Sequence, residues 1–225
     1  MKSSAGARMR SILSYGSPFM QLLENITNLL LLNVLILVGA LPLVTIGPAL
    51  MGGHTVMAKI LANEEAHVIR DYWRGYKANF RQGLVLGLSG LTVAGLVWLD
   101  WHYMDRLPVV VHLAVGVMLL FVVVVAGLML ALLPSYLSRY AERIPHAMRN
   151  VMIILVHHLG WALLLAAIAA APLLLVQAGA IGLWTLLYWF SFLGFGVAVW
   201  LQGLVFRRIV TLIEAGQSHT SQEEG

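Results

Sequence analysis

The chain has 225 residues, of which 60% are hydrophobic and only 11% charged, whereas a soluble domain carries about 25% charged residues. The apolar residues form long runs, so we predict a polytopic membrane protein, an all-α helical bundle with no room for a sizeable soluble domain. Cysteine is absent, which excludes disulfides and thiolate chemistry. The basic loops that a multi-span protein needs explain the net charge of +4, so we expect no nucleic-acid partner.

The amino-terminal part is predicted to be a short arm followed by the first helix. Residues 1–17 are basic, and we expect them to form a cytoplasmic arm. Ser17 and Pro18 are typical of a helix start, with serine as the cap and proline at the first helical position. The single helical domain is predicted over 18–214, and its first helix covers 18–41.

The second helix is predicted over 48–66, after breaks at Pro42 and at Gly47-Pro48. At 1.5 Å per residue it would be about 28 Å long. Polar side chains inside a membrane face the bundle interior, so those of the first two helices form a candidate intramembrane polar site, although helix packing alone would also explain them. These residues are Asn25, Asn28, Asn33, His54 and Lys59.

The segment 68–81 is predicted to be an amphipathic helix on the cytoplasmic membrane surface. At 100° per residue, its rings and aliphatic side chains share one sector, its cations share the adjoining sector, and Asp71 lies on the far side. Such a helix places its rings at the acyl boundary and its cations among the lipid phosphates. The candidate interaction surface comprises Arg70, Tyr72, Trp73, Arg74, Tyr76, Lys77, Phe80 and Arg81.

Four further apolar helices are predicted in the rest of the chain. They cover 83–103, 109–133, 151–176 and 183–214. The first of them carries Gly83, Gly87 and Gly90, which form a face for close packing against another helix. Pro134 is expected to end the second, and residues 215–225 are expected to form a disordered tail.

Loop charges indicate the topology. The loops 100–108 and 177–182 have few cations and are expected outside, whereas the basic loop 135–150 is expected inside. If the second helix crosses the bilayer, six helices span the cell membrane, both termini are cytoplasmic, and only Arg106 among the lysines and arginines lies outside. If the second helix lies on the membrane, five helices span it and the basic arm faces out. The positive-inside bias favours six.

Two short stretches of the chain are distinctive. They are Leu41-Pro42 with Val44-Thr45-Ile46-Gly47-Pro48, and Arg70-Asp71-Tyr72-Trp73 with Asn79-Phe80-Arg81-Gln82. They resemble the YesL-like family of small bacterial integral membrane proteins, a domain of unknown function. The chain departs from that family at Gly53-His54, where members usually carry a tyrosine pair. Members are often encoded beside carbohydrate uptake systems of the ABC type, so the resemblance implies a helper or component of such a system, without an established catalytic residue.

Three classes of function follow from these observations. An enzyme is not expected, because no catalytic, metal-binding or phosphate-loop spacing is present, and no cofactor or metal is expected either. The favoured class is an accessory component whose helix 68–81 docks a membrane partner, such as an ABC transporter component, or the lipid bilayer. The alternative is a small transporter or channel for a neutral polar solute that uses the broken segment 42–48. A homo-oligomer stays open.

Overall fold

The computed structural model describes residues 18–103, 108–140, 142–161, 163–165, 167 and 179–223. Within these residues every regular element is helical, which confirms the all-α prediction. The helices are α1 Pro18–Gly39, α2 Ile46–Leu61, α3 Val68–Ala78, α4 Phe80–Tyr103, α5 Val109–Arg139, α6 Ile144–His157, α7 Gly179–Trp189 and α8 Phe195–Glu223. A 3₁₀ turn, Leu43–Thr45, precedes α2, and a π-helical turn, Phe190–Gly194, joins α7 to α8. The predicted arm 1–17 lies outside the described residues.

Four of the described helices are long and apolar enough to cross a membrane. They are α1, α4, α5 and the continuous helix that runs from α7 into α8. A fifth span arises if α6 and the segment Leu159–Leu165, which are bent by 100°, count as one. With 16 residues, or about 24 Å, α2 is too short to belong to this group. Length and composition of the described helices therefore give four or five spans, and the expected count of six is not confirmed.

The prediction that Pro134 ends a helix is wrong, because α5 continues through it to Arg139. Proline removes one backbone donor, and inside a bundle the neighbouring helices can cover the carbonyl that loses its partner. Pro134 is buried and borders a small apolar cavity together with residues of α2 and α4. The packed surroundings of this proline therefore sustain the helix where the sequence alone predicts a stop.

The last two predicted helices also differ from the structure. The helix α6 begins at Ile144, with a proline in its first turn, and ends at His157, so a single helix over 151–176 is not formed. Much of that predicted helix, including 168–178, lies outside the described residues. The helix α8 continues to Glu223, so the expected disordered tail is helical as far as that residue.

The helix α2 lies at the centre of the packing. Its glycines allow three neighbouring helices to approach closely, each on a different side. Gly47 lies against the backbone of α4, Gly52 lies against Tyr72 of α3, and Gly53 lies against Ile36 of α1. The helix whose crossing of the bilayer the sequence left open is therefore the one around which the others assemble.

The predicted glycine face of α4 packs closely against α2, as expected. A Cβ atom at Gly83 would lie 2.6 Å from the Cα of Pro48, and one at Gly87 would lie 2.9 Å from the backbone nitrogen of Gly47. The third glycine of the face meets a leucine of α5, whereas Gly95 has nothing within 4 Å. The two backbones therefore touch at the beginning of α4 and separate farther along it.

The compact core occupies one end of the bundle, which we call the packed end. There α2 runs antiparallel to α3 and the start of α4, with Lys59 beside Asp71 and Gly47 beside Gly87. The rest of α4, the first half of α5 and nearly all of α7 expose large apolar side chains. These side chains would contact lipid in a membrane, whereas His54, Asp71 and Ser135, which are buried and polar, lie at the packed end.

Candidate functional site

The helix α3, which carries the predicted interaction surface, packs against α2 along one side. Its buried residues are Val68, Asp71, Tyr72 and Gly75. The sequence places Tyr72 in the lipid-facing sector and Asp71 on the far side, and both placements are wrong. A helical wheel describes α3 in isolation. In the structure, α2 packs against the side of α3 that carries both Asp71 and Tyr72.

An ion pair joins α3 to the end of α2. Lys59 Nζ lies 2.9 Å from Asp71 Oδ1, and the backbone N–H of His67 donates to Asp71 Oδ2 at 3.0 Å. The Asp71 side chain is only 4% exposed, and Arg74 lies 3.9 Å away. Burial raises the pKa of Asp71, but the bonds from Lys59 and His67 and the charges of Lys59 and Arg74 outweigh it and lower the pKa. Lys59 thus holds a buried carboxylate in its charged form.

Tyr72 belongs to the core and not to the surface of α3. Its side chain is fully buried, and its hydroxyl lies against Gly39 at the end of α1. None of the described residues forms a hydrogen bond with that hydroxyl. Burial, with a smaller contribution from Tyr76, raises the pKa of Tyr72. This tyrosine therefore acts as a packing element between α1, α2 and α3.

The rest of the predicted interaction surface stays on the outside of α3 and the first turn of α4. Trp73 and Phe80 are each 36% exposed, and Tyr76 lies between them. The ring centroids are 5.3 Å apart for Trp73 and Tyr76 and 5.6 Å apart for Tyr76 and Phe80. Four exposed basic side chains accompany this row of rings: Arg70, Arg74, Lys77 and Arg81. We call these seven residues the aromatic–basic face.

The side chain of Asn33 links α1 to the π-helical turn and the start of α8 through hydrogen bonds. Its Nδ2 donates to the carbonyl oxygens of Phe190 and Ser191, both at 3.0 Å. Its Oδ1 accepts from the backbone N–H groups of Phe195 at 2.9 Å and Gly196 at 3.2 Å. A π turn leaves such groups without their usual helical partners, so one buried carboxamide satisfies four of them.

The five candidate polar residues do not converge on one site. Asn25 is exposed and Asn28 is half-buried on α1, so the expectation that both point into the bundle fails for Asn25. The side chain of Asn33 forms its hydrogen bonds with the π turn and the start of α8. His54 and Lys59 alone border a common cavity at the packed end. What the sequence presents as one intramembrane site is therefore two separate arrangements.

The broken segment between α1 and α2 is a compact turn. The Thr45 hydroxyl oxygen lies 2.8 Å from the carbonyl oxygen of Gly39 and 2.7 Å from that of Pro42, so its hydrogen is donated within the turn, and it makes no capping bond to α2. Leu41 and Leu43 are strongly exposed, and the cavity beside the start of α2 is lined by apolar residues. The described cavity beside this break is lined by apolar side chains and by glycine and proline, which gives the transport alternative less support.

Sequence analysis missed a polar cluster that joins α5 to α6. Asn150 Nδ2 donates to Tyr136 Oη at 2.9 Å and to Glu142 Oε2 at 3.1 Å, and Gln82 Nε2 donates to the Glu142 carbonyl at 3.0 Å. The arginines of the loop 135–150 predicted its place inside, whereas the contacts are made by Tyr136, Glu142 and Asn150. The cluster ties this loop to the start of α4.

These helices and contacts define the class as a helical membrane protein. A family described as "Protein of unknown function, DUF624" matches residues 26–101, about a third of the chain. The matched part contains α2, α3, the ion pair and the aromatic–basic face. No curated protein and no solved structure matches the chain. Among the described residues, no group of three or more histidine, cysteine, aspartate or glutamate side chains is placed to hold a metal ion.

Proposed function

We propose that this chain is a non-enzymatic multi-pass protein of the cell membrane that docks another membrane protein through its aromatic–basic face. The supporting observation is that exposed Trp73 and Phe80 and half-buried Tyr76 form a row of rings beside four exposed cations, although the same helix buries Tyr72 completely. Through the YesL-like resemblance, the proposed partner is a component of an ABC-type carbohydrate uptake system, for which this protein is an accessory subunit.

Lipid anchoring alone explains the cations of this face better than its rings. Anionic lipid contributes about 1 kcal/mol for each basic residue near the surface. Leucine would bury apolar area in the acyl boundary too, whereas tryptophan and tyrosine are enriched both at membrane–water interfaces and at protein contacts. Trp73 and Tyr76 combine rigid contact area with a polar group, a combination enriched at contacts between proteins. We therefore assign the cations to both lipid and partner, and the rings to the partner.

Replacing Trp73 and Tyr76 by leucine is expected to weaken binding of the transporter more than tenfold. Two large aromatic residues at an interface often cost about 2 kcal/mol each when they are lost. The measurement is co-purification of a tagged full-length protein in mild detergent, with the transporter ATPase and permease quantified at equal protein levels.

The matched control for this pair is Tyr72→Phe on the same helix. It removes a buried hydroxyl that no described residue satisfies, so thermal stability should stay equal or rise and partner binding should not change. Undiminished recovery of the ATPase and permease with the leucine pair would leave lipid anchoring as the role of the face.

We also propose five membrane spans, with α2 at the cytoplasmic edge of the bilayer. The segment 88–103 of α4 is about 24 Å long and the exposed segment 109–127 of α5 is about 28 Å long, close to the ~30 Å thickness of the hydrocarbon core. Both lie beyond the level of α2, which packs beside the segment 71–87. This register supports the five-span arrangement, with the arm 1–17 outside, against the charge bias that favours six.

Single cysteines test this topology without background, because the chain contains none. In intact cells, a membrane-impermeant maleimide is expected to label a Ser4→Cys variant and to leave a Ser221→Cys variant unlabelled until the membrane is permeabilised. Shielding of both positions in intact cells would contradict five spans and would restore the arrangement with two cytoplasmic ends.

A further inference from the structure

We propose that the cavity between α2, α5 and α8 binds a phosphate group at Arg139 and Arg207. This cavity has a volume of about 450 Å³ and lies at the packed end. His54 and Ser135 are buried residues of the cavity lining, and His54 is only 3% exposed. The Nδ1 atom of His54 lies 3.1 Å from the hydroxyl oxygen of Ser135. Lys59, Arg139 and Arg207 border it on three different helices, so buried polar groups and three cations converge on one space.

The positive charge of this cavity is only partly balanced by the protein itself. Asp71 pairs with Lys59 from outside the cavity lining, whereas Arg139 and Arg207 form no ion pair with any described residue. Glu64 is the acidic side chain among the lining residues. A group with one or two negative charges would therefore complete the site.

Arg207 is held in position for such a ligand. Its Nη1 donates to the carbonyl oxygen of Leu61 at the end of α2, with the two atoms 2.6 Å apart. A guanidinium has five N–H donors, so most of them stay available, and its planar fork matches the oxygens of a phosphate. Arg139, the last residue of α5, supplies a second guanidinium at the same opening.

The position of the cavity admits a phosphate group from lipid or from solution. It lies beyond the ends of the exposed apolar stretches of α4 and α5, on the polar side of the hydrocarbon core. Both a lipid headgroup and a phosphorylated solute present that group. The cavity volume falls within the range of about 300–1,000 Å³ typical of small-ligand sites, so there is room for more than the phosphate.

The test measures the melting temperature of the full-length protein against two sources of phosphate. Inorganic phosphate and glycerol phosphate are added in neutral detergent, and phosphatidylglycerol is compared with phosphatidylcholine in nanodiscs. At about 100 times the Kd, ligand binding should raise the melting temperature by about 5–10 °C. A rise with the soluble phosphates identifies a solute site, and a rise confined to phosphatidylglycerol identifies a headgroup site.

The arginine variants decide whether the cavity is responsible. The combined Arg139→Gln and Arg207→Gln change should abolish the rise, whereas Arg208→Gln, which removes the same charge at the next position outside the cavity, should retain it. If the double variant fails to fold, Arg207→Lys serves instead and should reduce the rise, because it keeps the charge and loses the fork. No rise with any phosphate source, or equal loss with Arg208→Gln, would overturn the proposal. These changes leave the aromatic–basic face intact, so this site and the docking function can fail separately.

Discussion

Lys59→Met is expected to lower the free energy of unfolding by about 3–5 kcal/mol, because it leaves a buried carboxylate without its charged partner. The Asp71 side chain is 4% exposed and lies 2.9 Å from Lys59 Nζ, whereas the Lys59 side chain is 31% exposed, so the pair is buried on its carboxylate side. Reversible unfolding in mixed detergent micelles, followed by circular dichroism, measures the change.

Two control variants separate the ion pair from general effects of charge. Arg74→Gln removes a cation 3.9 Å from the same carboxylate, but that side chain is 58% exposed, so the loss should stay below about 1 kcal/mol. Combining Lys59→Met with Asp71→Leu should recover much of the stability, because neither charge then remains buried alone. Equal losses for Lys59→Met and Arg74→Gln would show that the pair contributes no more than a surface contact.

The same pair makes the parent protein sensitive to acid. The pKa of Asp71 is lowered in the folded state from an ordinary value of 3.8, so its stabilising contribution is complete above that value. The contribution is lost as the pH falls through the lower, folded-state pKa. Stability should therefore decrease below about pH 4 in the parent and decrease less in the variant that combines Lys59→Met with Asp71→Leu.

Gly83→Ala is expected to be strongly destabilising, although alanine is normally preferred to glycine in a helix. The added Cβ would lie 2.6 Å from the Cα of Pro48, so a backbone and not a flexible side chain would have to move. Overpacking of this kind costs about 1–3 kcal/mol or more, which corresponds to a fall of several degrees in the melting temperature. Gly87→Leu, with a larger side chain in the same contact, should lower it further.

The matched control is Gly95→Ala on the same helix. A Cβ at that position meets nothing within 4 Å, so the substitution should be neutral or slightly stabilising. Thermal unfolding in one detergent compares the two variants directly. If the Gly83→Ala and Gly95→Ala variants have the same melting temperature, the close contact between α2 and α4 does not persist in the isolated protein.

Spacing along the chain was sufficient to predict the glycine contact but not the ion pair. Three glycines on one face of an apolar helix have few uses other than close packing, and the structure shows that contact with α2 and α5. Asp71 was misplaced because a helical wheel ranks faces by hydrophobicity and does not include the neighbouring helix. A useful signal was present, since Asp71 is the single acid of a basic segment that follows Lys59, the lone lysine of the preceding apolar helix.

Other features left little or no trace in the sequence. Asn33 was expected to bond to another helix, and it does, but its partner is a π-helical turn formed by Phe190–Gly194. That segment contains no proline and a single serine, so nothing in it distinguishes a π turn from ordinary helix. The course of α5 through Pro134 was equally hidden, because the outcome depends on residues of α2 and α4 that are distant in the chain.

Because of the π turn, the orientation of α7 relative to α8 depends on the exact number of residues in the last helix. It contains one residue more than regular helix would need, so the side chains of α7 are rotated by about 100° relative to those of α8. Deleting one residue from this turn would restore regular hydrogen bonding, rotate α7 relative to α8, and leave the Asn33 carboxamide without its four partners. The extra residue near position 190 and the amide of Asn33 are thus structurally coupled, and we expect relatives that lose one to lose the other as well.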